Sequence, residues 1–242
     1  MEQKFITKFA ETEQEKIQAY SLRYTDMLKE YQPDLFIENG LDYTKYDNYA
    51  KQVICVDTET SEVVGVYRII TSDDLPKEKP FVCEEEFNIN DLKNKGEKIA
   101  ELSRAVIKKE YRNSMVLMHL LRFIITYLQQ SGYRYIVGEA SFYGTDKSKY
   151  TKEFSYLANL YSVQDYKIFS NEERQIELLS NDQLDLQEIK RSLPPLIRAY
   201  LSFGAKVSSD TYTDWDFGSV DVFILLDMQN CNEAYIKRFL KI

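Results

Sequence analysis

The 242-residue sequence holds one histidine, one tryptophan and three cysteines. With a single histidine, no His-rich metal site can be built. Cys55, Cys83 and Cys231 are odd in number, far apart and without metal-ligand spacing, so reduced thiols are expected and no metal is assigned. No histidine stands near Cys55 or Cys83 to activate a thiol nucleophile. Glycine (8) and proline (5) are scarce, and no repeat, low-complexity tract or flexible linker interrupts the chain. The longest uncharged apolar run, 222-VFILL-226, is far below the ~20 residues of a spanning helix. The opening MEQKFITKFAETEQEK lacks the apolar core of a secretory leader, and a cytoplasmic location is expected. A net charge of −8 argues against nucleic acid as a partner.

What remains is the composition of a folded globular protein, 44% hydrophobic and 14% aromatic. A strand is expected over 3–10. A helix follows with Ile17, Tyr20, Tyr24, Met27, Leu28 and Tyr31 on one face, then a loop over 32–50. Residues 52–57 and 63–70 form a hairpin across a polar turn. Residues 72–96 are a loop with one short helix, and a strand covers 97–107. The clearest helix, 114–130, carries Leu117, Leu120, Leu121, Ile124, Ile125 and Leu128 at helical spacing. His119 shares its polar stripe with Arg122 and Gln130 and is expected to face solvent or a partner, with no catalytic role. A strand at 134–141, a long polar excursion over 142–193 and a short helix at 194–204 come next. A strand at 219–227 and a closing amphipathic helix complete a single α/β domain over 1–242.

Lys108, Lys109 and Arg112 gather fixed positive charge where a strand hands over to a helix in an acidic chain. Free N–H groups at a helix start bind anions, and Asn113 and Ser114 are candidate N-caps. The turn is either an anion site or a solvated basic loop.

The pieces 22-LRY-24, 42-DYTKYD-47, 64-VGVYR-68, 101-ELSRAVIKKEYR-112, 194-PPLIRAYLSFGAKV-207 and 214-DWDFGSVDVFILLD-227 occur in that order. Together they resemble the GNAT acyltransferase superfamily, and within it the ornithine N-acyltransferase (hemolysin-like) branch, itself similar to acyl-homoserine-lactone synthases. Ser103 and Ala105 stand where that branch usually carries Gly and Cys, Gly218 where it usually has Asn. The turn after Arg112 has no glycine.

The resemblance implies a mixed central sheet flanked by helices, with parallel strands 97–107 and 134–141 splayed to admit an acyl-phosphopantetheine arm. It implies transfer of an acyl, or 3-hydroxyacyl, group from acyl carrier protein or CoA to the amine of an amino acid such as ornithine, with no bound cofactor. An acyl-homoserine-lactone synthase, or a donor-binding protein without turnover, are the alternatives. An acidic carrier protein would meet a basic rim, and a lipid product would bring peripheral membrane association.

The catalytic set implied is Glu101 as base or amine-binding carboxylate, Arg104, and Ser141 on the thioester or the leaving thiolate. Glu101 and Arg104 are three apart, so they point to opposite faces unless a bulge intervenes. Donor binding falls to Lys108, Lys109, Arg112, Asn113, Ser114 and Arg23. Acceptor binding falls to Arg68, Asp42, Asp47, Asp214 and Asp216. From the residues alone, plainer roles stand beside these: a surface Glu101, an exposed helical Arg23, ion pairs of Arg68 and Arg104 with Asp42 or Asp47, a turn-capping Ser141, and a turn at Asp214–Asp216.

Overall fold

The computed structural model describes residues 4–172 and 176–241. Gln3 of the expected first strand and residues 173–175 of the polar excursion lie outside them. The chain is of the expected mixed α/β class, strands flanked by helices. It divides into two compact units, Met1–Pro76 with Ala100–Gly132, and Lys77–Ile99 with Tyr133–Ile242.

In the first unit, strands β1 (Phe5–Phe9), β2 (Ala50–Asp57), β3 (Val63–Thr71) and β4 (Ile99–Ile107) pair antiparallel in that order. Helix α1 (Glu13–Arg23) starts at a capping box: the Thr12 side chain accepts from Glu15 N and the Glu15 carboxylate accepts from Thr12 N. The apolar face agrees with expectation in part: Tyr20 and Leu28 are buried. Ile17 is exposed, and Ala19 and Leu22 pack instead on Ile54, Val63, Val66 and Val106. After Arg23 the helix widens into a π turn, Tyr24–Leu28, before one more α turn, Lys29–Tyr31. The wider turn shifts the 3.6-residue stripe beyond Arg23, while Met27 still packs on the same core as Ala19 and Leu22.

Helix α2 (Val116–Gln130) buries Leu120, Leu121, Ile124, Ile125 and Leu128 as expected, with Val116 rather than Leu117 completing the face. It lies against β3 at Gly65, where an added Cβ would stand 2.5 Å from Val116 Cγ1 and 2.9 Å from Leu120 Cδ1. Glycine at 65 is therefore a packing requirement, and it sets the height of the helix start. His119 is half-buried: its ring meets Phe5 edge-on at 5.7 Å, and it lines a surface groove with Arg122 and Gln130, the stripe expected from the sequence. Burial, and then the Arg122 charge, hold its pKa below the usual imidazole value.

In the second unit, β5 (Tyr135–Tyr143), β6 (Lys206–Val207) and β7 (Tyr212–Asp214) each pair antiparallel with β8 (Ser219–Asp227), and Val207 also forms a parallel bridge with Ser162. Strand β8 is central, with β5 along its whole length on one side and β6 and β7 on the other. The polar excursion contains α3 (Thr151–Tyr161) and α4 (Leu186–Ser192). Helix α5 (Pro195–Phe203) begins with proline and ends at Gly204, whose φ of +95° makes the left-handed cap. Closing helix α6 (Glu233–Lys241) places Phe239 edge-on against Phe203.

Candidate active site

Strand β4 is not regular. Its register with β3 runs Glu101↔Ile70 and Ser103↔Arg68, then resumes at Val106↔Val66. One extra residue on β4 makes a bulge, and Arg104 sits in it with φ +53°. Cross-strand partners share a face, so Glu101, Ser103 and Val106 lie on the face that receives α1. The bulge lets Arg104 join them: its Nε donates to Asp42 Oδ2 at 2.9 Å. Two residues that a regular strand would separate therefore serve one face.

That face carries a buried ionic network. Arg23, at the end of α1, is fully buried. Its Nε donates to Asp42 Oδ2 at 2.9 Å. Its Nη1 and Nη2 grip Asp47 Oδ1 and Oδ2 at 2.7 and 3.1 Å, and Nη1 also reaches Gln52 Oε1 at 3.2 Å. Asp47 is held further by Gln52 Nε2 at 3.0 Å and by the Thr44 N–H at 2.8 Å, which closes a capping box on the turn Lys45–Tyr49. Arg68 donates through Nε to Ser103 Oγ at 2.9 Å and through Nη1 to Thr44 Oγ1 at 3.0 Å, with Asp47 3.7 Å away. The segment 42-DYTKYD-47 thus places two carboxylates and a hydroxyl among three guanidinium groups.

The electrostatics follow from burial. Desolvation alone would raise the Asp47 pKa, but the hydrogen bond and charge of Arg23 outweigh it and the carboxyl is held below the usual range. Arg68 is pushed down to about 10, first by burial and then by the neighbouring Arg104 charge, with Asp47 and Glu101 opposing. Glu101 is only 1% exposed. The Arg104 side chain, at 26% exposure, is the guanidinium of this group that reaches water. A cleft of about 510 Å³ opens onto the network at Asp47 and Gln52, walled by Tyr20 and Tyr43.

The basic turn is pinned by local acids. Lys108 Nζ pairs with Glu62 at 2.8 Å. Arg112 bonds Glu30 through both terminal nitrogens, at 3.1 and 2.5 Å, and the Asp26 carbonyl at 2.9 Å. The Lys109 N–H donates to Asp26 Oδ1 at 2.9 Å, and its side chain is exposed. Neither expected N-cap holds that position: Met115 does, without a side-chain cap bond. A 3-10 turn, Lys109–Tyr111, precedes it. Ser114 serves the entry instead, donating to the Tyr111 carbonyl at 2.5 Å and accepting from Val116 N at 3.3 Å. Asn113 is exposed.

The second unit has its own polar cluster. Ser141 on β5 faces Asp221 on β8, and its hydroxyl hydrogen-bonds that carboxylate. Asp214 ends β7 and accepts from the Phe217 N–H at 2.7 Å, fixing the turn into β8. Asp216 faces solvent beside the exposed Trp215, so the two aspartates that flank the tryptophan part company. Sequence reasoning passed over Gln52, Thr44 and Ser103 as network members, and Glu86 and Asp221 in this cluster. A lone acid inside the apolar run SVDVFILLD was the available signal for Asp221.

A GNAT acetyltransferase domain model matches residues 22–122, the span that holds the buried network, the bulge and the basic turn. The L-ornithine Nα-acyltransferase of Rhodobacter capsulatus is 24% identical, over 82% of this chain and 79% of its own length. That of Brucella abortus is 25% identical, over 82% and 74%. Among solved structures, an N-acyl amino acid synthase from uncultured soil microbes superposes with a TM-score of 0.53 at 12% identity, covering 93% of this chain and 91% of the other. A CoA-dependent acyl-homoserine lactone synthase superposes at 0.52 and 12% identity, covering 94% and 82%. The fold, the matched domain and the curated relatives agree on an N-acyltransferase that carries a GNAT domain over residues 22–122.

Proposed function

We propose that the chain acylates the amine of an amino acid such as ornithine, using a thioester on the phosphopantetheine arm of acyl carrier protein or CoA. The observation that carries this reading is the Arg23–Asp42–Asp47–Arg68–Arg104 network beside Glu101 on a bulged strand. Attack by the neutral amine nitrogen on the thioester carbonyl forms the C–N bond, and collapse of the adduct breaks C–S. Glu101 takes the amine proton, and the departing thiolate is protonated by Ser141 or by water. Arg104 and Arg68 hold the acceptor side, with Asp42 and Asp47 fixing both guanidinium groups. Positioning supplies most of the rate.

Lys108, Lys109, Arg112, Asn113 and Ser114 form the donor rim. Because Lys108 and Arg112 are already paired to acids, the exposed Lys109 is the cation most readily offered to a phosphate or an acidic carrier. The reaction belongs to the cytoplasm, where charged carrier proteins reside, and a lipid product would bring the enzyme to a membrane surface.

The test is incubation of purified protein with acyl carrier proteins and acyl-CoAs of several chain lengths, against a panel of amino acids and S-adenosylmethionine. Mass spectrometry should find an acyl-amide of a free amino acid. A lactone from S-adenosylmethionine would favour the synthase alternative, and donor binding with no product from any pair would overturn the reading.

A further inference from the structure

Three carboxylates of the second unit converge from distant positions in sequence. Glu86 follows the turn Val82–Glu85, Asp214 ends β7, and Asp221 lies within β8. Each offers an oxygen, and these oxygens all lie within 4.8 Å of one another. Glu86 is 8% exposed and Asp221 3%. Among the described residues, no lysine or arginine is seen to pair with any of the three. Glu139 on β5 adds a further negative charge close to Glu86.

Such a cluster is unfavourable as it stands, because buried charge needs a counter-charge or full hydrogen bonding. Asp221 has partial relief: Ser219 Oγ lies 3.0 and 3.1 Å from its two oxygens, the Ser141 hydroxyl bonds it as well, and the Glu86 carboxyl hydrogen-bonds it directly. Asp214 has the Phe217 N–H. Glu86 has none at Oε2, which is buried and receives no hydrogen bond. A buried carboxylate oxygen without a hydrogen bond, on a side chain that belongs to this nest of carboxylates, marks a place for a ligand that is positive and accepts several oxygens at once.

The geometry points to a binding site for one hard divalent cation, of the calcium or magnesium class, held by Glu86, Asp214 and Asp221. The donors are all oxygen, which suits calcium and magnesium and not the softer transition metals. At Ca²⁺–O distances of about 2.3–2.6 Å, two oxygens on opposite sides of one ion stand at most about 5.2 Å apart, so spans within 4.8 Å fit a single coordination sphere. Charge favours a divalent ion over an organic ammonium, since one unit of positive charge would leave most of the cluster uncompensated. The ligands tie the start of the Phe87–Asn88 strand to both β7 and β8, so the ion would brace the second unit, and no part in the acyl transfer is required of it.

The test uses the full chain, stripped with chelator and dialysed. Calcium at a hundredfold excess over its Kd should raise the melting temperature by roughly 5–10 °C, with one ion bound per chain by equilibrium dialysis. Terbium should bind in its place and show emission sensitised by Tyr212 and Trp215, which flank Asp214, and calcium should displace it. Glu86→Gln and Asp221→Asn should each lose most of the melting shift and the emission. Should a variant fold poorly, the terbium titration of the unaltered chain still decides. Absence of both responses in the unaltered chain overturns the site, as do equal responses in folded variants. A melting shift produced by an alkylamine such as butylamine, and not by calcium or magnesium, would make the cluster an ammonium pocket and also overturn it.

Discussion

Arg104 Nε stands 2.9 Å from Asp42 Oδ2, the same oxygen that accepts from Arg23 Nε. Asp42 therefore couples a residue in left-handed backbone on β4 to the buried end of α1. Left-handed backbone costs a non-glycine residue on the order of 1–2 kcal/mol, and such strain persists where the surroundings over-determine it. Replacing Arg104 with glycine should relieve the strain while removing the guanidinium; replacing it with alanine removes the guanidinium and keeps the strain. By urea unfolding, Arg104→Gly should be about 1 kcal/mol more stable than Arg104→Ala. Both should lose on the order of 10²-fold in kcat/KM. Equal stabilities would show that the bulge relaxes when the side chain leaves.

The Arg23–Asp47 pair is buried on both sides, with 0% exposure of either side chain. Breaking one partner of such a pair typically costs about 3–5 kcal/mol, because the other is left charged and unpaired. Asp47→Asn should fall in that range. A double change, Arg23→Met with Asp47→Leu, should recover part of it. The same pair sets an acid limit. The folded-state pKa of Asp47 is depressed, since the Arg23 bond and charge outweigh burial. Its contribution is complete above the unfolded carboxylate value of about 4 and is lost as pH falls through the lower folded value. The slope of stability against pH below about 4 should be shallower in Asp47→Asn than in the unaltered protein.

Gly65 makes a similar argument for packing. Its missing Cβ would overlap Val116 Cγ1 at 2.5 Å, on the first residue of α2. Gly65→Ala should destabilise by about 1–3 kcal/mol, the usual cost of overpacking. Val116→Ala in the same chain should return part of that loss, measured as a coupling in a double-mutant cycle. Additive effects would mean that the helix moves as a body.

Much of this architecture is written in local pattern. The helix over 116–130, the hairpin of β2 and β3, and the strands β5 and β8 follow from periodicity, turn chemistry and apolar runs, which depend on near neighbours in sequence. The site is less local. Nothing in 42-DYTKYD-47 says that both aspartates will close on Arg23, which in isolation is an ordinary helical arginine; its burial is decided by a loop that reads as polar. The bulge at Arg104 is a property of two strands, visible only in their register. Glu86 lies in an acidic run, EEE, that is indistinguishable from a solvated surface until β7 and β8 bring Asp214 and Asp221 beside it. The basic knot is the reverse case. Its charges are plain in sequence, while the acids that neutralise them, Glu30 and Glu62, come from elsewhere in the chain.

That neutralisation makes Lys109 the informative position at the donor rim. Lys109→Glu should raise KM for an acyl carrier protein about tenfold at low salt, with kcat little changed. The difference should shrink at about 0.5 M salt, where the Debye length drops to a few ångströms. A kcat effect that ignores salt would place Lys109 in the chemistry instead of the docking.

Glu101 separates turnover from mere donor binding. It is 1% exposed, lies on the same face as Arg68, and sits one register step from the bulge that carries Arg104. If it removes the amine proton, Glu101→Gln keeps the shape and loses the base, so kcat should fall by about 10²–10⁴-fold while donor affinity is retained. If it only binds the amine, KM for the acceptor should rise with a smaller change in kcat. Steady-state kinetics over both substrates, with donor affinity measured by calorimetry, distinguishes the two. A variant with unchanged kcat and KM would remove Glu101 from the site altogether, leaving Arg104 as the group of this face that reaches water.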